Sequence, residues 1–283
     1  MRLSESSSLV RGAGAAFAVL VISVVIGCSG ANLGVSFDGG TQTGDLPESI
    51  NEANALFVIL HLASGERTTA LAVDDLTSNA AYATDRMVFR RVVGLGGSYL
   101  LGVFEVTQAQ WQLIAPASPQ PWELIDVAQV GSSAQGDTLP AFNLSNDALA
   151  TALSAYNTGK VVQLQVPSEA QWEFACAAGS SGAWSWGDVN DRTTLTTYAR
   201  VAETSISLGP QAVATRSPNA WGFYDMHGNL WEWAGTGAGA RWRGGSWHDA
   251  AVLSKTANEI GTAQGVYSDT HHALVGVRLL LRQ

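Results

Sequence analysis

The sequence has little sulfur and little charge. Only two cysteines, Cys28 and Cys176, occur in 283 residues, which excludes a fold stapled by several disulfides and leaves stability to packing or metal. Charged residues make up 14% of the chain, and 24 acidic against 15 basic ones give a formal net charge of -9. No basic stripe is available to displace counterions from a phosphate backbone, so nucleic acid is excluded as a partner class. Long apolar runs are also scarce. The strongest, "GAGAAFAVLVISVVIG" at residues 12–27, is shorter than the ~20 residues that span a bilayer comfortably.

What the chain does have is 46% hydrophobic residues, 30 glycines and 10 tryptophans. That apolar content supports a large core. Glycine and tryptophan together predict tight turns with large flat side chains packed across loops, an α+β fold rather than a helical bundle.

The first residues read as a targeting segment. Arg2 and Arg11 precede the apolar run, which ends in Val25-Ile26-Gly27-Cys28, the order of a basic flank, an apolar core and a small residue before a cut. These last residues resemble the bacterial lipoprotein signal, whose cysteine becomes the lipidated first residue of the mature protein. The resemblance implies a signal peptide over 1–27, lipid on Cys28, and attachment to a membrane of the bacterial cell envelope. A plain signal peptide or an uncleaved anchor is the alternative. Ser29, where an aspartate would resemble an inner-membrane retention signal, favours the outer membrane. Residues 28–54 are Gly-rich and acidic without hydrophobic periodicity and read as a flexible tether.

From 55 onward the pattern is that of a folded domain. "ALFVILHLA" (55–63) and "RMVFRRVVGL" (86–95) predict strands. Thr107, Ser145 or Asn146, and Ser168 stand where helix caps belong, before "QAQWQLI", "DALATALSAYNT" and "EAQWEFACA", with Ser168 and Gln171 spaced as a capping box and Gly179 as a stop.

Four patches then follow in fixed order: "EVTQAQW" (105–111); "VPSEAQWEFACAAG" (166–179) with "WSWGD" (184–188); "SPNAWGFYDMHGNLWEW" (217–233); and "RGGSW" (243–247) followed by "GVRLLL" (276–281). The series resembles the formylglycine-generating enzyme and sulfatase-modifying-factor family, over 55–283 and best from 85. The resemblance implies a C-type-lectin-like α+β fold with little regular secondary structure.

In "DMHGNLWEW", Gly228, Leu230 and Glu232 are two apart, so an extended segment would face them one way and Trp231 and Trp233 the other. A carboxylate between two indoles needs a partner if it is buried. Calcium, which mixes carboxylate and carbonyl oxygens, would serve; the resemblance implies side chains from Asp225 and Glu232 and carbonyls from Gly228 and Leu230. The alternative is that Glu232 caps backbone amides and Asp225 closes a turn. A second calcium site of the family would need an asparagine where Arg200 stands, so that site is expected to be missing.

In the family's oxidases, the third residue after the serine of R-G-G-S is a cysteine and another follows five positions later; the two bind copper. Here those positions are Asp249 and Ser254. Oxygen ligands do not replace thiolates for monovalent copper, so copper is not expected. Cys176, mid-helix, reads as a buried structural thiol. His248, Asp249, His271 and His272 offer a nitrogen and oxygen metal set if the fold brings them together, and Ser246, His248 and Asp249 a weaker triad. The loops around Trp184, Trp186, Trp221 and His248 are candidates to hold a ligand; the alternative, favoured for any single tryptophan, is packing of loops onto the core.

Two functions remain open. One is an extracytoplasmic binding or assembly module for a peptide, glycan or protein partner. The other is an oxidoreductase of the same superfamily acting on a different substrate, which requires a redox metal.

Overall fold

The computed structural model describes residues 54–117, 119–131, 134–261 and 269–282. The expected signal peptide, Cys28 and the tether up to residue 53 lie outside them. The described residues belong to one compact unit that begins at Glu48.

In chain order the strands are β1 (Phe57–His61), β2 (Arg67–Ala70), β3 (Arg86–Gly94), β4 (Gly97–Gly102), β5 (Gln163–Gln165), β6 (Trp231–Ala234), β7 (Arg241–Arg243), β8 (Glu259–Ile260), β9 (Val275–Val277) and β10 (Leu280–Arg282). The helices are α1 (Gln108–Ile114), α2 (Val127–Val130), α3 (Asn146–Asn157), α4 (Glu169–Ala177) and α5 (Arg192–Tyr198). One sheet has the order β2-β1-β3-β4-β10-β5 and the other β8-β7-β6-β9. Every pairing is antiparallel except β6 with β9. This is the expected α+β class, with short strands and much loop.

The first strand shows how pattern becomes packing. Val58 and Leu60 are buried while their neighbours in β1 are half-exposed, and the β1–β3 register sets Val58 opposite Phe89 and Leu60 opposite Met87. A one-residue slip would turn the buried pair outward. Around them the main core gathers Trp111 from α1, Leu149 and Leu153 from α3, and Trp233 from β6. A smaller core joins Trp172 and Cys176 of α4 to Phe223 and Met226.

The caps fall where expected. Thr107 and Ser168 each form a capping box, with Gln110 and Gln171, and Ser145 caps α3. Gly179 stops α4 as expected, left-handed at φ 86° behind an Ala178 that is itself left-handed at φ 47°. One expectation is corrected. The extended run assumed from Gly228 to Glu232 does not exist, because Gly228 (φ 101°) and Asn229 (φ 64°) bend the chain and the strand starts only at Trp231. A Cβ on Gly228 would stand 2.1 Å from the Arg200 carbonyl oxygen, so the bend requires glycine.

Candidate functional site

The loop after β7 carries both positions at which the resemblance implies thiols. Arg243 fastens its near end: Nη1 donates to Glu169 Oε1 at 2.8 Å, and Nη2 to Glu173 Oε2 and to the Thr256 carbonyl at 2.6 Å each. The two glutamates lie one turn apart on α4, so a single planar fork reaches both. Gly244 and Gly245 follow with φ of 94° and 78°. A Cβ on Gly245 would stand 2.9 Å from Ser254 Cβ, so glycine is what lets residue 254 return against the loop.

At the two positions the side chains are committed inward. The Ser246 hydroxyl donates to Asp249 Oδ2, and Trp231 Nε1 donates to the same oxygen at 2.8 Å. Ser254 is fully buried. Its hydroxyl donates to the Ala251 carbonyl at 2.9 Å and accepts from Trp184 Nε1 at 3.3 Å. The proposed Ser246-His248-Asp249 relay therefore bypasses histidine: His248 meets Ser246 only through its backbone N–H, at 3.3 Å.

A serine–imidazole pair does form, at residues the sequence did not single out together. His227 Nδ1 lies 2.7 Å from the Ser254 carbonyl and must donate to it, leaving Nε2 to accept from the Ser185 hydroxyl at 3.0 Å. Cys176 Sγ is 3.6 Å from the same nitrogen. Burial lowers the His227 pKa to about 4 and pushes the Cys176 thiol up to about 12, so both are neutral at pH 7. The space between Ser185, Asn219 and His227 has no room for a water-sized molecule. This pair ties loops together.

The strongest electrostatics lie beneath the bend at 225–232. Glu105, Asp225, Glu232 and Arg278 are all buried. Arg278 donates to Glu232 at 2.8 and 3.1 Å and to the carbonyls of Gly102 and Tyr224 at 3.0 and 2.7 Å. Trp172 Nε1 takes the Glu232 Oε2 edge at 2.5 Å. Glu105 accepts from Asn229 Nδ2 at 2.5 Å and from the Leu230 amide at 3.0 Å, while Asp225 accepts from the Ala214 amide at 2.7 Å. Three carboxylates thus share one guanidinium. Burial, with Asp225 and Glu232 adding repulsion, raises the Glu105 pKa well above its ordinary value, and burial raises Asp225 to about 6.

Calcium fits this arrangement poorly. Both Glu232 oxygens already face donors, and a divalent ion there would sit against a fixed guanidinium. Glu232 does not cap backbone amides either; its partner is Arg278, which spacing could not have supplied. Among the described residues, no group of three or more His, Cys, Asp or Glu side chains converges to hold a metal, and this covers His248, Asp249, His271 and His272.

The four loop residues proposed to hold a ligand separate. Trp184 is buried and stacks on Trp186, which stacks in turn on Tyr198. Trp221 packs edge-on against Phe174. Only His248 faces open space. With Trp247 it forms a ridge between two surface cavities, one of about 320 Å³ continuing to His271, His272 and Leu274, the other of about 430 Å³ walled by Ile206 and Leu208.

Residues 70–283 match the family described as the sulfatase-modifying factor enzyme 1-like domain, FGE-sulfatase. The chain belongs to this family. A formylglycine-generating enzyme of Thermomonospora curvata is 31% identical over 137 residues, which are 42% of this chain and 40% of that protein; the chain thus spans less than half of that relative. Two solved structures share the fold. Variable protein 1 of Treponema denticola has a TM-score of 0.56 at 18% identity, covering 70% of this chain and 96% of its own. PvdO from Pseudomonas aeruginosa has a TM-score of 0.53 at 17% identity, covering 75% and 89%.

Two positions singled out by the resemblance to the family now have a physical form. Where copper would need two thiolates stand a carboxylate bonded to Trp231 and Ser246 and a buried hydroxyl, a donor set that does not suit a soft ion. Arg200, where the second calcium site would need an asparagine, is buried and donates from Nη2 to the carbonyls of Ser207 and Gly209 at 2.9 Å each. An internal cation holds that loop.

Proposed function

We propose that this FGE-sulfatase domain is a ligand-binding or assembly module that does not carry out the copper-dependent oxidation implied by its resemblance. The protein is held on the bacterial cell envelope, at the outer membrane, by lipid on Cys28. The single observation that carries this reading is the inward commitment of Asp249 and Ser254: both occupy the thiol positions and both are bound to structural partners. Arg243, Gly244, Gly245 and Arg278 hold the loop and the acid cluster in place, as expected of a scaffold that serves recognition. No helix among the described residues is long and apolar enough to cross a membrane. The binding surface is the pair of cavities astride Trp247 and His248, open to a peptide, glycan or protein partner.

The test uses the full-length protein purified in detergent. Incubated with cuprous ion, oxygen and a cysteine-containing sulfatase peptide, it should yield no formylglycine by mass spectrometry, while peptide and glycan arrays should label it and His248→Ala should weaken the signal. Aldehyde on the peptide, or stoichiometric redox metal by elemental analysis, would favour the oxidoreductase reading instead. Globomycin-sensitive processing and lipid on Cys28 by mass spectrometry would test the anchor.

A further inference from the structure

The 320 Å³ cavity beside His248 is at the small end of ligand sites, which run from ~300 to ~1,000 Å³. Two adjacent histidines line it with opposite hydrogen-bonding faces. His271 Nδ1 lies 2.9 Å from the Asn143 carbonyl; a carbonyl only accepts, so that nitrogen holds the proton and Nε2 is left as an acceptor. His272 is the reverse. Its Nδ1 accepts from the Leu274 amide at 3.2 Å, so Nε2 carries the proton and donates. Desolvation lowers the His272 pKa, with Asp249 opposing and His248 adding, which keeps this ring in the neutral form that can accept from Leu274.

An acceptor on one ring and a donor on the next match a secondary amide: its N–H to His271 and its carbonyl to His272. A peptide backbone offers such amides in series, but an extended peptide gains most by joining a strand edge. None is offered here. The lining residues lie in loops and α2, and the outer edge of the adjoining β9 is already taken by Val106, whose amide donates to the Val277 carbonyl at 2.8 Å. A single acetamido group suits the small cavity better. We infer that this cavity binds the acetamido group of an N-acetylated sugar, with His271 and His272 reading the amide. The inference rests on the binding role proposed above and names the ligand chemistry of one of its two cavities.

The experiment is saturation-transfer NMR and calorimetry on the full-length protein with N-acetylglucosamine, glucosamine, glucose and N-acetylalanine methylamide. N-acetylglucosamine should bind at least about tenfold better than either sugar lacking the acetyl group, the loss expected for one amide hydrogen bond. His271→Phe and His272→Phe should each remove that preference without lowering Tm, both side chains being exposed. Equal binding of glucose, or tighter binding of the alanine amide, would overturn the inference. If none of the four probes binds while a larger ligand is captured in a His248-dependent way, the acetamide assignment fails and the binding role stands. Formylglycine production would instead remove the role on which both depend.

Discussion

Arg278→Met would test whether one guanidinium neutralises the buried acid cluster. The side chain contributes two contacts to Glu232, one each to the carbonyls of Gly102 and Tyr224, and the main positive charge acting on Glu105 and, ahead of Arg216, on Asp225. Breaking a buried ion pair by removing one partner costs ~3–5 kcal/mol, a large share of the ~5–15 kcal/mol that holds a domain together. At ~2–4 °C per kcal/mol for a domain of this size, Tm should fall by about 6–20 °C. The ten tryptophans make urea denaturation followed by fluorescence a direct assay. The loss should be largest at pH 7 and smaller at pH 5, because without the guanidinium the carboxylates escape repulsion by taking up protons. The double variant Glu232→Gln with Arg278→Met should lose less than the sum of the two singles, since no charge is then stranded between Trp172 and Gly102. A single-variant loss below about 1 kcal/mol, or strictly additive singles, would refute the view that Arg278 acts as the cluster's cation.

Three other outcomes follow from the same contacts. Asp225, with a folded pKa of about 6, gives stability that is complete below pH ~4 and lost as pH rises through 6, whereas His227, held at about 4, gives stability present above pH ~6.5 and lost as pH falls toward 4; each is worth roughly 3 kcal/mol. Asp225→Asn should therefore move the pH of maximal stability toward neutral and His227→Gln toward acid, and denaturation midpoints from pH 4 to 7.5 that do not separate this way would count against both assignments. Cys176, fully buried with its pKa pushed up to about 12, should react with a thiol reagent only as fast as the domain unfolds; rapid labelling of the native protein would contradict its place in the core. Gly245→Ala puts a Cβ 2.9 Å from Ser254 Cβ at a φ of 78° and should cost ~1–3 kcal/mol, with a matching fall in thermal midpoint.

Local signals were legible because local physics decides them. The caps at Thr107, Ser145 and Ser168, the alternation in β1, and the buried thiol of Cys176 all follow from near neighbours in sequence. The bend at Gly228 and Asn229 was misread as extended because its cause is the Arg200 carbonyl, 28 residues earlier in the chain. The partner of Glu232 was equally hidden: Arg278 is 46 residues away, and only the need of a buried carboxylate for some cation could be read ahead. The tryptophan count predicted flat side chains packed across loops, and Trp184 and Trp221 do pack in that way rather than line a groove. His271 and His272, considered beforehand as part of a metal set, instead border an open cavity together with Trp247. Fidelity of motif order revealed the family; it could not reveal which side chains the surface would leave free.

The place of β10 bears on how the domain is made. Leu280 and Leu281 pair with β4 on one side and β5 on the other, so the last strand is an interior plank of a sheet whose first strands are formed from residue 57 onward. Until that strand arrives, β4 and β5 present unsatisfied edges. A chain made from its amino terminus would thus keep these two edges open until almost all of it is present. Closure of the sheet waits for its last strand, and without β10 the edge strand β5 would be parted from the four strands that end at β4.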